Sequence, residues 1–261
     1  MKYVEDSRVI RQEQLSDGIF SLLLQTEKIA AEAAPGQFVL LWCSDGSRIL
    51  PRPISICSAS PADGTLRLVY RVTGKETGTE EFSRLQEGDS LRIEGPLGNG
   101  FDMDLPEEEH LLIVGGGIGI PPMLWVAEAA GCRKTVVLGY RSTPFMEEDF
   151  KERTEENDLW IATEDGTCGT RGNVLDVIRG QGISADRIYA CGPKPMLHFL
   201  AAWAEENGIP CFVSMEERMA CGIGACLACV CGTKETDSHT NVRNRRVCKE
   251  GPVFRSTEVE I

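Results

Sequence analysis

Positive charge, histidine and long apolar runs are all scarce in this chain of 261 residues. Lys and Arg number 27 against 40 Asp and Glu, a formal charge of −13. That balance argues against broad binding to nucleic acid or to an anionic membrane, so an anionic ligand has to be held by a few local groups. Of the three histidines, His110 and His239 lie in polar stretches and His198 on an amphipathic segment; no spacing among them suggests catalysis or zinc. No stretch approaches the ~18 apolar residues needed to span a bilayer, and the start, MKYVEDSRVIRQEQ, lacks the apolar core of a signal peptide. The expectation is a cytoplasmic protein with neither nucleic acid nor membrane as a partner. Cysteine, by contrast, is plentiful: eleven residues, an odd number without a secretion signal, which fits a disulfide framework poorly.

Residues 1 to about 100 read as short strands divided by turn residues: 18–27, 36–44, 52–60, 64–73 and 89–98, interrupted by one helical segment at 79–87. This is the spacing of a small barrel or sandwich, and an antiparallel β-barrel is the favoured reading. The acidic stretch 102–110 reads as a linker. From His110 apolar strands (111–114, 135–140, 158–164, 186–193, 210–216) alternate with helices (121–130, 144–153, 172–180, 194–208), the pattern of a parallel, doubly wound α/β sheet. The expected organisation is a barrel over 1–101, an α/β domain over 110–216 and a small domain over 217–261. The last is too short to build its own core and needs a staple.

That staple is written in the cysteines. Cys221, Cys226 and Cys229 give C-x4-C-x2-C, and Cys248 follows after eighteen residues. This is the plant-type [2Fe–2S] spacing: a tight loop supplies three thiolates and a remote cysteine the fourth. Gly222, Gly224, Ala225 and Ala228 suit such a loop, because backbone amides have to approach the cluster sulfurs. A structural zinc site, which favours two closely spaced cysteine pairs, and a set of unliganded thiols are the competing readings. Cys231 could replace Cys229, but C-x4-C-x4-C fits the pattern less well, and it reads as a neighbour. Cys43, Cys57, Cys132, Cys168 and Cys211 read as small buried hydrophobes.

After the first α/β strand come Gly115, Gly117 and Gly119 in the run GGGIGIPP (115–122), opening a helix. Glycines at a strand-to-helix turn let the backbone approach a pyrophosphate at the helix N-terminus. The run is not GxGxxG, since Ile120 takes the last glycine's place; it is similar to the nicotinamide-binding turn of the ferredoxin reductase superfamily. In that superfamily a Cys-Gly-Pro, here Cys191-Gly192-Pro193, lies beside the nicotinamide. Arg52-Pro53-Ile54-Ser55 resembles its R-P-x-S flavin motif, and Val69-Tyr70-Arg71 and Gly78-Thr79 resemble its other two flavin contacts. The chemistry is consistent with those roles: a guanidinium pairs with a pyrophosphate, proline fixes the turn and the serine hydroxyl reaches the isoalloxazine.

The order of barrel, nicotinamide domain and cysteine-rich tail resembles, over essentially the whole chain, the electron-transfer subunits of the two-subunit, NAD-linked dihydroorotate dehydrogenases. The runs SMEERMACGIGACLACVC (214–231) and RVCKEGPVF (246–254) carry the resemblance furthest, because a plain ferredoxin reductase has neither. Two loops, between Tyr70 and Thr79 and between Cys229 and Cys248, are longer than the family's usual ones. The resemblance implies FAD, a [2Fe–2S] cluster and NAD as cofactors, and electron transfer from a separate FMN-containing catalytic subunit, in a heterotetramer of two plus two, to NAD+ in pyrimidine biosynthesis. It implies no organic substrate site on this chain. Related flavin and iron–sulfur subunits of a bifurcating transhydrogenase, a sulfide reductase or a hydrogenase are the alternative, and a redox sensor or zinc-stapled binding protein is a third.

Overall fold

A computed structural model describes residues 1–155, 157–236 and 241–261; His239 lies outside the described residues. Six strands close an antiparallel barrel in the order β1-β2-β5-β4-β3-β6: β1 Tyr3–Ser16, β2 Ile19–Gln25, β3 Phe38–Leu41, β4 Arg52–Ser60, β5 Thr65–Arg71 and β6 Ser90–Leu97. Two short helices interrupt them, α1 Lys28–Glu32 and α2 Gly78–Phe82. The long β1 was not anticipated from the sequence. Its face toward solvent is charged, and only Ser7 and Val9 are buried along it, so it carries little apolar alternation. The expected helix at 79–87 shortens to α2, whose first turn is capped by the Thr77 side chain accepting from the Glu80 amide.

The second half is a seven-stranded sheet. Its elements are β7 His110–Gly116, α3 Ile120–Ala129, β8 Arg133–Tyr140, α4 Glu147–Lys151, β9 Leu159–Thr163, β10 Thr170–Arg171, α5 Val174–Gly180, β11 Arg187–Cys191, α6 Lys194–Glu206 and β12 Cys211–Ser214. The strand order is β10-β9-β8-β7-β11-β12, all parallel. Residues of β7 alternate between two cores: Leu112 and Val114 pack with α5 and α6, Leu111 and Ile113 with α3 and α4. Both faces are covered, which is why these strands read as continuous apolar runs.

The tail folds onto both halves. β13 Val230–Gly232 pairs with β14 Asn244–Arg246, and β15 Val253–Arg255 joins the seven-stranded sheet antiparallel to β12. The barrel is tied to it where the Asn99 side chain donates to the carbonyls of Lys249 and Glu250 at 3.2 and 3.0 Å. The two larger units also share packing. Trp125 of α3 belongs to the barrel core, and the start of the linker is fastened by Phe101 stacking on Tyr189 at 4.7 Å between ring centroids. Among the described residues no helix is long and apolar enough to cross a membrane.

Candidate functional site

A cavity of about 440 Å³ opens between the barrel and the end of β12. Arg52, Pro53, Ile54 and Ser55 at the start of β4, Val69, Tyr70 and Arg71 at the end of β5, and Thr79 all line it. Three separate runs of sequence are thereby brought to one wall. Gly78 lies behind it: a Cβ there would fall 2.9 Å from Arg52 Nε and 2.7 Å from Cys43 Sγ, so the guanidinium occupies space that only glycine leaves free. Tyr70 is almost wholly buried, and its hydroxyl donates to Gln12 Oε1 at 3.0 Å, so the phenol supports the barrel while its position edges the cavity. A shallower cleft of about 790 Å³ continues from Arg52 along Ser47–Leu50 and Glu216–Met219. An isoalloxazine-sized recess with an open-ended extension, along which Arg52 and Arg218 stand beside Glu216 and Glu217, has the shape for a flavin dinucleotide and offers Arg52 to its phosphates.

The opposite wall was not legible in the sequence. Glu216 follows β12 directly, whereas Met219 and Pro252 belong to the tail, whose folding onto β12 brings Pro252 here. Burial raises the pKa of the Glu216 carboxyl, and the Arg71 charge opposes the shift. Glu216 lines both the cavity and the adjoining cleft and remains exposed to solvent.

A second cavity, about 470 Å³, adjoins the first across Arg71, which lines both. It sits at the carboxyl ends of β7, β8 and β9, where open α/β sheets collect ligands. Gly117 and Pro193 line it. Gly115, Gly119, Cys191 and Gly192 form the packed layer beside it: Cys191 is in register with Gly115 on one side and Ser214 on the other. A Cβ on Gly119 would lie 2.5 Å from the Cys191 carbonyl, so the glycine-rich turn and the Cys-Gly-Pro turn meet backbone to backbone. Complete burial keeps the Cys191 thiol protonated, well above the usual thiol range. Sequence reading passed over Arg141 and Glu164, which also line this cavity. Each follows directly on a member of the last β8–β9 pair, Tyr140 and Thr163. The end of the strand following a glycine-rich turn is where a dinucleotide's ribose is read, so their position was the available signal.

The four cysteines surround the tail's first loop. Gly222, Gly224 and Leu227 adopt left-handed backbone, at φ of 65°, 85° and 59°, and the amides of Ala225 and Cys226 turn onto Cys221 Sγ at 3.3 and 3.4 Å. Burial raises the Cys221 pKa, but hydrogen bonds from Cys226, Ile223 and Ala225 outweigh it and bring the thiol down to about 6. The Cys248 amide donates to Cys229 Sγ at 3.4 Å. The Cys248 thiol is pushed up to about 12, by burial first and then by its contact with Cys229. The thiols thus stand as two pairs, Cys221 with Cys226 and Cys229 with Cys248. Among the described residues no three His, Cys, Asp or Glu side chains converge on a single metal-ion position. Two pairs of thiols fit a [2Fe–2S] centre, which Cys221, Cys226, Cys229 and Cys248 would hold. Cys231, buried on β13, has its pKa raised by that burial.

A flavin-sized cavity beside a nicotinamide-type crevice and a paired-cysteine clasp defines an iron–sulfur flavoprotein oxidoreductase. Comparison with known proteins agrees. Residues 6–101 match the oxidoreductase FAD-binding domain, and residues 216–260 match the iron–sulfur cluster binding domain of dihydroorotate dehydrogenase B. The chain is 43% identical to the dihydroorotate dehydrogenase B (NAD(+)) electron transfer subunit of Listeria monocytogenes serotype 4a (strain HCC23), and 38% identical to that of Streptococcus pneumoniae (strain ATCC BAA-255 / R6), over 98% of each chain in both cases. It belongs to the family of dihydroorotate dehydrogenase B electron transfer subunits. Among solved structures, a chain of the NADH-dependent reduced ferredoxin–NADP oxidoreductase, studied for flavin-based electron bifurcation, superposes with a TM-score of 0.81 at 28% identity, covering 98% of this chain and 90% of that one.

Proposed function

We propose that this chain passes electrons from a dihydroorotate-oxidising, FMN-containing catalytic subunit to NAD+, in a cytoplasmic heterotetramer of two catalytic and two electron-transfer subunits. Residues 1–101 hold FAD, 110–216 hold the nicotinamide nucleotide and 217–261 hold a [2Fe–2S] cluster. The observation that carries this reading is adjacency. Met219 and Pro252 line the flavin cavity, and they lie two residues from Cys221 and four from Cys248 along the chain, so the same short segments wall the flavin and grip the cluster.

When bound, the flavin exchanges electron pairs with nicotinamide and single electrons with the cluster. The chain's own residues arrange that exchange. Arg52 binds the flavin pyrophosphate, Pro53 and Ile54 fix the wall, and the Ser55 hydroxyl is offered to the isoalloxazine edge. Val69, Tyr70 and Arg71 hold the ring from β5, and Gly78 and Thr79 shape the pocket behind the phosphates. Gly117 and Pro193 face the nicotinamide nucleotide, and Gly115, Gly119, Cys191 and Gly192 form the packed layer that holds those two turns together. Cys221, Cys226, Cys229 and Cys248 ligate the irons. Ile223 and Leu227 on the cysteine loop are 47% and 60% exposed; such apolar exposure around a one-electron centre suits a covered face, and we assign it to the catalytic partner.

Co-purification with the catalytic subunit tests the reading. It predicts FMN in that subunit, FAD, iron and sulfide in this one, and dihydroorotate-dependent reduction of NAD+. The likeness to the ferredoxin–NADP oxidoreductase chain favours a second reading, in which a related subunit serves another redox partner; a complex holding the same cofactors but inert toward dihydroorotate would support it.

A further inference from the structure

Arg246 ends β14, two residues before Cys248, and its guanidinium reaches across to the other half of the cysteine clasp. Nη1 donates to the Gly224 carbonyl at 2.9 Å, between Cys221 and Cys226. The opposite edge of the same planar group is held by Glu250: Nε donates to Oε2 at 3.0 Å and Nη2 to Oε1. The Arg246 amide also donates to Glu250 Oε2 at 2.8 Å. Both side chains are about 30% exposed, at 29% and 30%. Around them the Val247 amide donates to the Cys229 carbonyl at 2.9 Å, and the Lys249 stem packs against Gly224. The result is an oriented charge pair, with its cation fastened to the cysteine loop and its anion on the side away from the Gly224 carbonyl.

An unpaired surface arginine would sample many positions and be screened by solvent. A guanidinium fixed on two sides is a permanent local charge. Accepting an electron makes a cluster more negative, so a fixed cation nearby favours the reduced form and a fixed anion disfavours it; net charge and local hydrogen bonding are among the levers that set cluster potentials.

We propose that Arg246 is a positioning residue for the cluster, which it serves twice: it latches the cysteine loop to the Cys248 turn, and its charge, oriented by Glu250, raises the cluster's reduction potential. The proposal rests on Cys221, Cys226, Cys229 and Cys248 holding a [2Fe–2S] centre. Its function would be to keep the cluster reducible by the partner's flavin.

The test is an EPR-monitored potentiometric titration of the cofactor-loaded chain, with iron per chain measured alongside. Arg246→Gln removes the cation and leaves the Glu250 carboxylate behind, so the potential is expected to fall. Glu250→Gln removes the anion, so the potential is expected to rise. Arg246→Lys keeps the charge without the planar fork, and its potential is expected to stay nearer the wild type than that of Arg246→Gln, with faster loss of iron to a chelator. Shifts of opposite sign cannot come from simple loosening of the loop, which would disturb both variants alike. Unchanged potentials, or shifts of one sign in the two glutamine variants, would overturn the proposal. If Arg246→Gln fails to fold, the rise in Glu250→Gln decides alone. A wild-type chain without a cluster signal would instead refute the ligand assignment, a separate outcome.

Discussion

Gly222 of the cysteine loop lies directly on Leu40 of the barrel: a Cβ at Gly222 would fall 2.5 Å from Leu40 Cδ1 and 3.3 Å from Leu97 Cδ1. Leu40 and Leu97 are fully buried. The cysteine loop is therefore seated on two barrel-strand residues that face away from the barrel's own core and join the cluster holding Cys229, Val247 and Cys248, so close packing rather than a flexible tether sets its position against the barrel.

Gly222→Ala puts a side chain into that contact at a left-handed backbone position, a conformational cost of about 1–2 kcal/mol before any clash. We expect less iron per chain with FAD content preserved. Metal and flavin analysis of the purified variant checks this; a full iron complement would show the loop to be freer than its packing implies.

Cys226→Ser should abolish cluster absorbance while NADH still bleaches the flavin, because the flavin and nicotinamide cavities meet at Arg71 without involving the tail loop. Cys231→Ser should keep its cluster, since that thiol lies outside the two pairs. Visible spectra recorded anaerobically distinguish the two variants; an intact cluster in the first or a lost one in the second would redraw the ligand set.

Arg52→Ala removes a charge-assisted contact worth about 1.5–3 kcal/mol, so FAD should bind about 10- to 100-fold more weakly. Flavin retained through gel filtration, or a fluorescence titration of the stripped protein, measures it.

Glu164→Gln should shift the kcat/KM ratio for flavin reduction toward NADPH by about tenfold, since the extra ribose phosphate no longer meets a carboxylate and Arg141 lines the same cavity. An unchanged ratio would move the ribose elsewhere in the cavity.

Much of this architecture is legible in the residues because local patterns and the final fold agree. The central residues of β7, β8 and β11 are buried, largely apolar runs, and three of the four spaced cysteines share one short loop. What escaped did so for physical reasons. β1 is half solvated and carries charge where a strand pattern would show alternation. β15 is three residues of tail that become a strand only by pairing with β12. Pro252 reaches the flavin cavity through that same pairing, while Glu216 and Met219 reach it from the chain just beyond β12. Arg141 and Glu164 had a positional signal, the ends of β8 and β9, but it needed the strand register to be read.

The most direct test of the account is anaerobic titration of the chain with NADH followed by optical and EPR spectroscopy. The flavin is expected to bleach and a paramagnetic signal from one reduced two-iron centre per chain to develop with it, whereas Cys226→Ser bleaches without the signal. Flavin reduction in the wild-type chain with no paramagnetic centre, even after a stronger chemical reductant, would contradict it.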